Sequence, residues 1–85
     1  MKRNLTDIIG IPEEAVSKIT KITVTGMGSI YMEYYGRLVL YTDEEICVKN
    51  DEFLIKVAGK GLKIDAIDKN FVEISGTILC ISYEN

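Results

Sequence analysis

The stretch "VEISGTILCISYEN", residues Val72 to Asn85, decides the fold, because apolar residues fall on both parities of what otherwise reads as a strand. Successive side chains of a β-strand point to opposite faces. If Leu79, Ile81 and Tyr83 meet the core, Ile78 and Cys80 point outward, and by the same parity so do Val39, Tyr41, Leu54 and Phe71 on other strands. Scattered surface apolar residues need no explanation, but a contiguous set marks an interface. Val39, Tyr41, Leu54, Phe71, Ile78 and Cys80 are therefore the candidate interface, and a homodimer or a lasting partner on that face is expected. The competing account lays the N-terminal segment, with Ile8, Ile9 and Ile11, over the second face within the monomer.

Outward from that stretch, a period of two with β-branched residues extends back to Ile19. Ile22 and Val24 alternate with Lys21, Thr23 and Thr25 before Gly26-Met27-Gly28 breaks the run. Further strand-like stretches lie near residues 29–35, 37–42, 45–49, 52–58, 61–67, 71–75 and 77–83. Between them stand turn formers such as Tyr35-Gly36, Asn50-Asp51, Gly59-Lys60-Gly61, Asp68-Lys69-Asn70 and Ser75-Gly76. Loops this short join antiparallel neighbours, since a parallel crossover needs a dozen or more residues. The expected fold is all-β, a small antiparallel β-sandwich or meander of about eight short strands. A faint echo leaves a β-solenoid as the alternative: Val57, Gly59, Leu62 and Ile64 recur as Ile74, Gly76, Leu79 and Ile81, an offset of 17 residues (76 − 59). The inward parity gathers Ile22, Val24, Leu38, Leu40, Ile46, Val48, Phe53, Ile55, Val57, Leu62, Ile64, Val72, Ile74, Leu79 and Ile81 into the expected core.

The one helix candidate is "GIPEEAVSKIT", with Pro12 suited to a first helical position and Glu13 and Glu14 in the first turn. Residues 1–18 are thus expected to form an N-terminal helical segment that Ile8, Ile9, Ile11 and Val16 pin as a lid, and residues 19–85 the β domain.

Composition bounds the chemistry. The net charge of −3 and the scatter of the 10 Lys and Arg residues argue against nucleic acid, which needs a basic stripe. The chain has no histidine, and so lacks the usual general base near neutral pH and the commonest metal ligand. Cys47 and Cys80 form no CxxC pair and read as reduced thiols packed as small hydrophobes. Met1-Lys2-Arg3 lead into Asn4-Leu5-Thr6-Asp7 without an apolar stretch behind, so a reducing cytoplasm is the expected location.

Several constellations read as structural rather than chemical. The acidic groups Asp43-Glu44-Glu45, Asp51-Glu52 and Asp65, Asp68 and Glu73 solvate turns without the patterned loop of a calcium site. "GMGS" and "GKGL" lead into strands rather than a helix N-terminus, so neither cradles phosphate. Lys56, Lys60 and Lys63 could gather into an anion patch, but such lysines usually keep a sheet edge soluble. The tyrosines Tyr31, Tyr34, Tyr35, Tyr41 and Tyr83 suit cross-strand packing first and interface anchoring second. No catalytic residue, cofactor or metal ligand is expected, and the chain is read as a non-enzyme.

The motifs "IGIPEEAV" (Ile9–Val16), "ITVTG" (Ile22–Gly26), "IYMEYYG" (Ile30–Gly36), "YTDEEICV" (Tyr41–Val48), "GKGLKI" (Gly59–Ile64) and "EISGTILCISY" (Glu73–Tyr83) stand in an order that resembles the YabP/YqfC family of bacterial sporulation proteins, the YqfC branch most closely. That family commonly carries Glu-Asn where this chain has Glu33-Tyr34, and a glycine where Arg37 stands. The resemblance implies an all-β protein of a sporulating cell and brings no catalytic motif. It makes an assembly or adaptor module the expected function, acting on itself or on another sporulation protein, a membrane-bound one included. The alternative is a module that binds a small ligand or glycan.

Overall fold

The computed structural model describes residues 19–85, in which every regular element is a strand. The expected N-terminal helix and its lid residues lie outside the described residues. Strands β1 (Lys21–Thr25), β2 (Ser29–Glu33), β3 (Arg37–Tyr41), β4 (Glu45–Lys49), β5 (Leu54–Ile67) and β6 (Phe71–Glu84) form one sheet in the order β1-β2-β6-β5-β4-β3. Every pairing is antiparallel. That pairing replaces the solenoid alternative, because Val57 faces Ile81 across an antiparallel ladder rather than stacking on Ile74.

Six strands stand where eight were expected because two of the expected turns are corners inside long strands. β5 and β6 are 14 residues each, and they run through Gly59-Lys60-Gly61 and Ser75-Gly76. Their ladder slips between Ala58 and Gly59, between Lys60 and Lys63, and between Ile64 and Ala66. Such bulges bend a strand and increase its twist. At the bend Gly61 and Gly76 take positive φ, 61° and 128°, where a glycine has no β-carbon to clash.

The connection from β2 to β3 requires the sheet to coil. The two strands are four places apart in the order, about 19 Å in a flat sheet at about 4.8 Å per strand. Only residues 34–36 join them, and four peptide steps reach roughly 14 Å at most. The bent β5 and β6 resolve the conflict. Their first and second halves split the sheet into a β3-β4-β5-β6 half and a β1-β2-β6-β5 half, whose like faces feed a single core cluster.

Register shows which residues fill that core. Ile30 and Met32 of β2 face Ile74 and Val72 of β6, Ile46 and Val48 of β4 face Val57 and Ile55 of β5, and all eight are essentially inaccessible. Ala58 pairs with Cys80 but Gly59 pairs with Ile78, so Leu79 is the extra residue of a bulge. The inward phase therefore passes from Val72, Ile74 and Ile78 to Ile81 and Tyr83. The two apolar parities of Val72–Asn85 are one face read through a phase change. Ile78 is a core residue, 7% exposed, and Leu79 is 57% exposed, the reverse of the expectation from unbroken alternation.

Two further expected core residues are exposed. Leu40 follows a bulge at Val39, which turns it to the outer face opposite Cys47. Val24 keeps the inward phase opposite Ile30 but is 47% exposed, because among the described residues β1 has no neighbour beyond it. Ile30, Met32 and Tyr35, absent from the expected core, are buried in it.

Candidate functional site

Polar side chains shape three of the turns by one device. Thr42 Oγ1 accepts the Glu45 N–H at 2.8 Å, Asn50 Oδ1 the Glu52 and Phe53 N–H groups at 2.8 and 2.9 Å, and Asp68 Oδ1 the Asn70 and Phe71 N–H groups at 2.6 and 3.1 Å. Each local bond substitutes for a backbone turn bond. Asp68 of the acidic groups is thereby a turn former.

The turns at 34–36, 50–53 and 68–70 meet at one end of the sheet. Asn50 Nδ2 donates to Thr20 Oγ1 at 3.1 Å, Thr20 Oγ1 donates to the Tyr34 carbonyl at 2.5 Å, and the Tyr34 N–H donates to the Asn70 carbonyl at 2.8 Å. Tyr35 sends its hydroxyl to the Asp68 carbonyl at 2.7 Å, and burial raises its pKa, with Asp68 adding to the shift. Tyr34 sits at φ 55° and is 42% exposed. A bulky non-glycine residue at positive φ is an outlier. Beside it opens a cleft of about 420 Å³ lined by Tyr34, Gly36, Arg37, Lys49, Asn50, Asp51 and Lys69. Sequence reading passed over this group because its cations come from three separate elements: the β3–β4 register pairs Arg37 with Lys49, and the coiled sheet adds Lys69.

The six candidate interface residues do not share one surface. Leu54 and Cys80 lie on the outer face of the β3-β4-β5-β6 half, in register with Lys49 and Glu84 and with Ala58 respectively. Phe71 lies on the outer face of the other half, opposite Glu33, and stacks on Tyr31 with centroids 5.5 Å apart. Val39 is the bulge residue at the β3 edge. Tyr41 takes the inner phase opposite Ile46, and its hydroxyl accepts the Ile64 N–H at 2.9 Å. Ile78 is in the core.

The outer row Leu40, Cys47, Lys56 and Ser82 runs across four strands. Lys56 Nζ lies 3.5 Å from carboxylates of both Glu45 and Glu84, and these two raise its pKa. Lys56 is thus neutralised and joins no anion patch with Lys60 and Lys63. Both cysteines are free thiols. Cys47 is buried in that row, and burial pushes its pKa up, while Cys80 is exposed. Only Cys47 therefore matches the expected small buried hydrophobe.

One edge of the sheet carries apolar side chains without a strand partner. β2 pairs with β6 through Phe71–Ser75 only, and from Leu79 to Glu84 β6 is flanked by β5 alone among the described residues. Leu79 and Tyr83, 57% and 63% exposed, belong to that stretch: Leu79 lines a shallow groove with Glu45 and Ala58, Tyr83 sets its ring edge-on to Phe53 with centroids 5.4 Å apart, and Ile81 is half-buried between them. No helix among the described residues is long and apolar enough to cross a membrane, and no group of three His, Cys, Asp or Glu residues among them could hold a metal ion.

These features define a small all-β domain built as one coiled antiparallel sheet in which part of β6 has one unpaired edge among the described residues. The YabP family matches residues 16–85, and the chain belongs to that family. It is similar to the protein YqfC of Bacillus subtilis (strain 168), with 29% identity over 83 residues that cover 98% of this chain and 89% of that protein. No solved structure matches the chain.

Proposed function

We propose that the chain is a non-enzymatic protein of spore development that acts in the cytoplasm as an assembly module through its β surface, with a second copy of itself as the first partner. The observation that carries this reading is the stretch of β6 from Leu79 to Glu84, whose second edge is open among the described residues. An unpaired strand edge offers a row of N–H and C=O groups for another strand, and β-augmentation uses main-chain bonds for affinity and alternate side chains for specificity. Two β6 edges can pair antiparallel about a two-fold axis, the commonest symmetry of soluble oligomers. Family membership and the motif order support the link to sporulation.

Sedimentation velocity of the full chain at micromolar concentration tests the assembly. A dimer is expected, and the Leu79→Glu/Tyr83→Glu chain should sediment as a folded monomer, because both side chains are largely exposed and the buried cluster includes neither, Tyr83 giving up only its edge contact with Phe53. A wild-type monomer, or a dimer indifferent to the two substitutions, would sink the self-pairing of β6.

A further inference from the structure

We infer that the cleft beside Tyr34 is a binding site for a compact oxyanion of the phosphate class carrying two or more negative charges. This does not rest on the assembly reading. Arg37 opens β3, Lys49 closes β4 and Lys69 lies in the β5–β6 turn, and all three line the same cleft. None of them makes an ion pair among the described residues, whereas Lys56 holds two carboxylates. Asp51 is the one carboxylate of the lining, so the lining charge is +2 (three cations less one anion) on a chain of net charge −3.

Arg37 and Lys49 are direct cross-strand partners. Like charges directly opposite one another destabilise a strand pair, and the lone lining carboxylate, Asp51, forms no ion pair with either of them among the described residues. An oxyanion between the two would turn the repulsion into attraction. A guanidinium presents a planar fork to two phosphate oxygens, while each ammonium adds a point charge. Tyr34 adds an exposed ring held in the left-handed region beside these cations. Backbone strain of that kind clusters at ligand clamps. The volume of about 420 Å³ lies within the range of small-molecule sites.

Binding of inorganic pyrophosphate to the full chain, followed by amide NMR shifts at constant low ionic strength, tests the site. Shifts centred on Tyr34–Arg37, Lys49–Asp51 and Lys69 are expected. The Arg37→Gln/Lys49→Gln chain should lose about tenfold or more in affinity, while Lys60→Gln/Lys63→Gln, an equal change in net charge elsewhere, should keep it. The first variant should also be at least as resistant to urea as the wild type, since it relieves the cross-strand repulsion, so a loss of binding is not a loss of fold. A parallel arm uses phosphatidylcholine vesicles with and without phosphatidic acid. Binding of pyrophosphate alone points to a free soluble anion, and vesicle binding that pyrophosphate competes away points to a lipid headgroup. Absence of both, or equal losses in the two variants, overturns the site.

Discussion

A β-carbon added at Gly59 would stand 2.0 Å from the carbonyl oxygen of Thr77, across the corner where β5 and β6 bend together. At Gly76 it would stand 2.6 Å from the Gly61 carbonyl oxygen, so two backbones meet at a distance only glycine permits. Gly26, by contrast, has φ 57° and open space around it. Gly59→Ala must push the corner apart and should cost more than about 2 kcal/mol, while Gly26→Ala should cost about 1 kcal/mol of left-handed strain. Urea midpoints of the two variants check the ranking. Equal midpoints would mean that the corner is not where the strands touch.

The bulge at Leu79 makes an equally direct claim about its neighbours. Ile78→Ala removes a buried side chain from the core and should cost ~2 to 5 kcal/mol. Leu79→Ala should stay within about 0.5 kcal/mol, as exposed substitutions usually do. Chemical denaturation of both variants decides between this phase and unbroken alternation, which reverses the order.

Both cases show how far the fold was legible. Ile46, Val48, Ile55, Val57, Val72 and Ile74 could be placed inward from alternation alone, because period two is a local property of an unbroken strand. Leu79 and Leu40 could not, because one inserted residue shifts the phase of everything after it while leaving composition unchanged. The glycines had the same ambiguity. Gly59-Lys60-Gly61 looks alike as a hairpin turn and as a corner, and what selects the corner is Gly76 and Thr77, 17 residues on. Ile30 and Met32 were within reach, since Tyr31 and Glu33 alternate with them at the polar phase.

Legibility was poorest for surfaces. Parity assigns a side chain to a face of its own strand, but the coil puts Phe71 and Leu54 on outer faces of different halves. The β3–β4 hairpin pairs Arg37 with Lys49, and the coil then brings Lys69 to them from a turn that no spacing links to that hairpin.

Tyr34 holds a left-handed position in the tight β2–β3 link. Asn tolerates this region far better than an aromatic residue does. Tyr34→Asn should therefore raise stability by about 1 kcal/mol, and Tyr34→Val should lower it. Thermal unfolding of the two variants gives the sign, and a destabilised Asn variant would show that ring contacts outweigh the strain.

Reactivity should separate the two thiols. Cys80 is exposed, whereas Cys47 is 4% exposed with its pKa raised by burial. Thiolate, the reactive form, is therefore scarce at Cys47 as well as hidden. A thiol reagent at pH 7.5 (about one unit below an ordinary thiol pKa) should label one cysteine rapidly in the folded chain and the second only on unfolding. Two equally fast labels would contradict the burial of Cys47 within the outer row.

Stability should fall on the alkaline side. Tyr35 and Cys47 have pKa values raised above the ordinary 10.0 and 9.0, mainly by burial, and Lys56 is raised above 10.5, first by Glu84 and then by Glu45. In each case the folded chain holds its proton more tightly than the unfolded one. Below pH 9 both states are protonated at all three groups and the contribution is fully present. As pH rises past each ordinary value the unfolded chain releases its proton first, the unfolded state binds fewer protons, and stability declines until the raised folded value is passed. Urea midpoints should therefore drop steadily between pH 9 and pH 11 (a window of about two units that spans the ordinary Cys, Tyr and Lys values). Phe in place of Tyr35 removes one titrating hydroxyl, together with its bond to Asp68, and should flatten the upper part of that decline. A midpoint that held constant through the window would show that these protons are bound no more tightly in the fold than outside it.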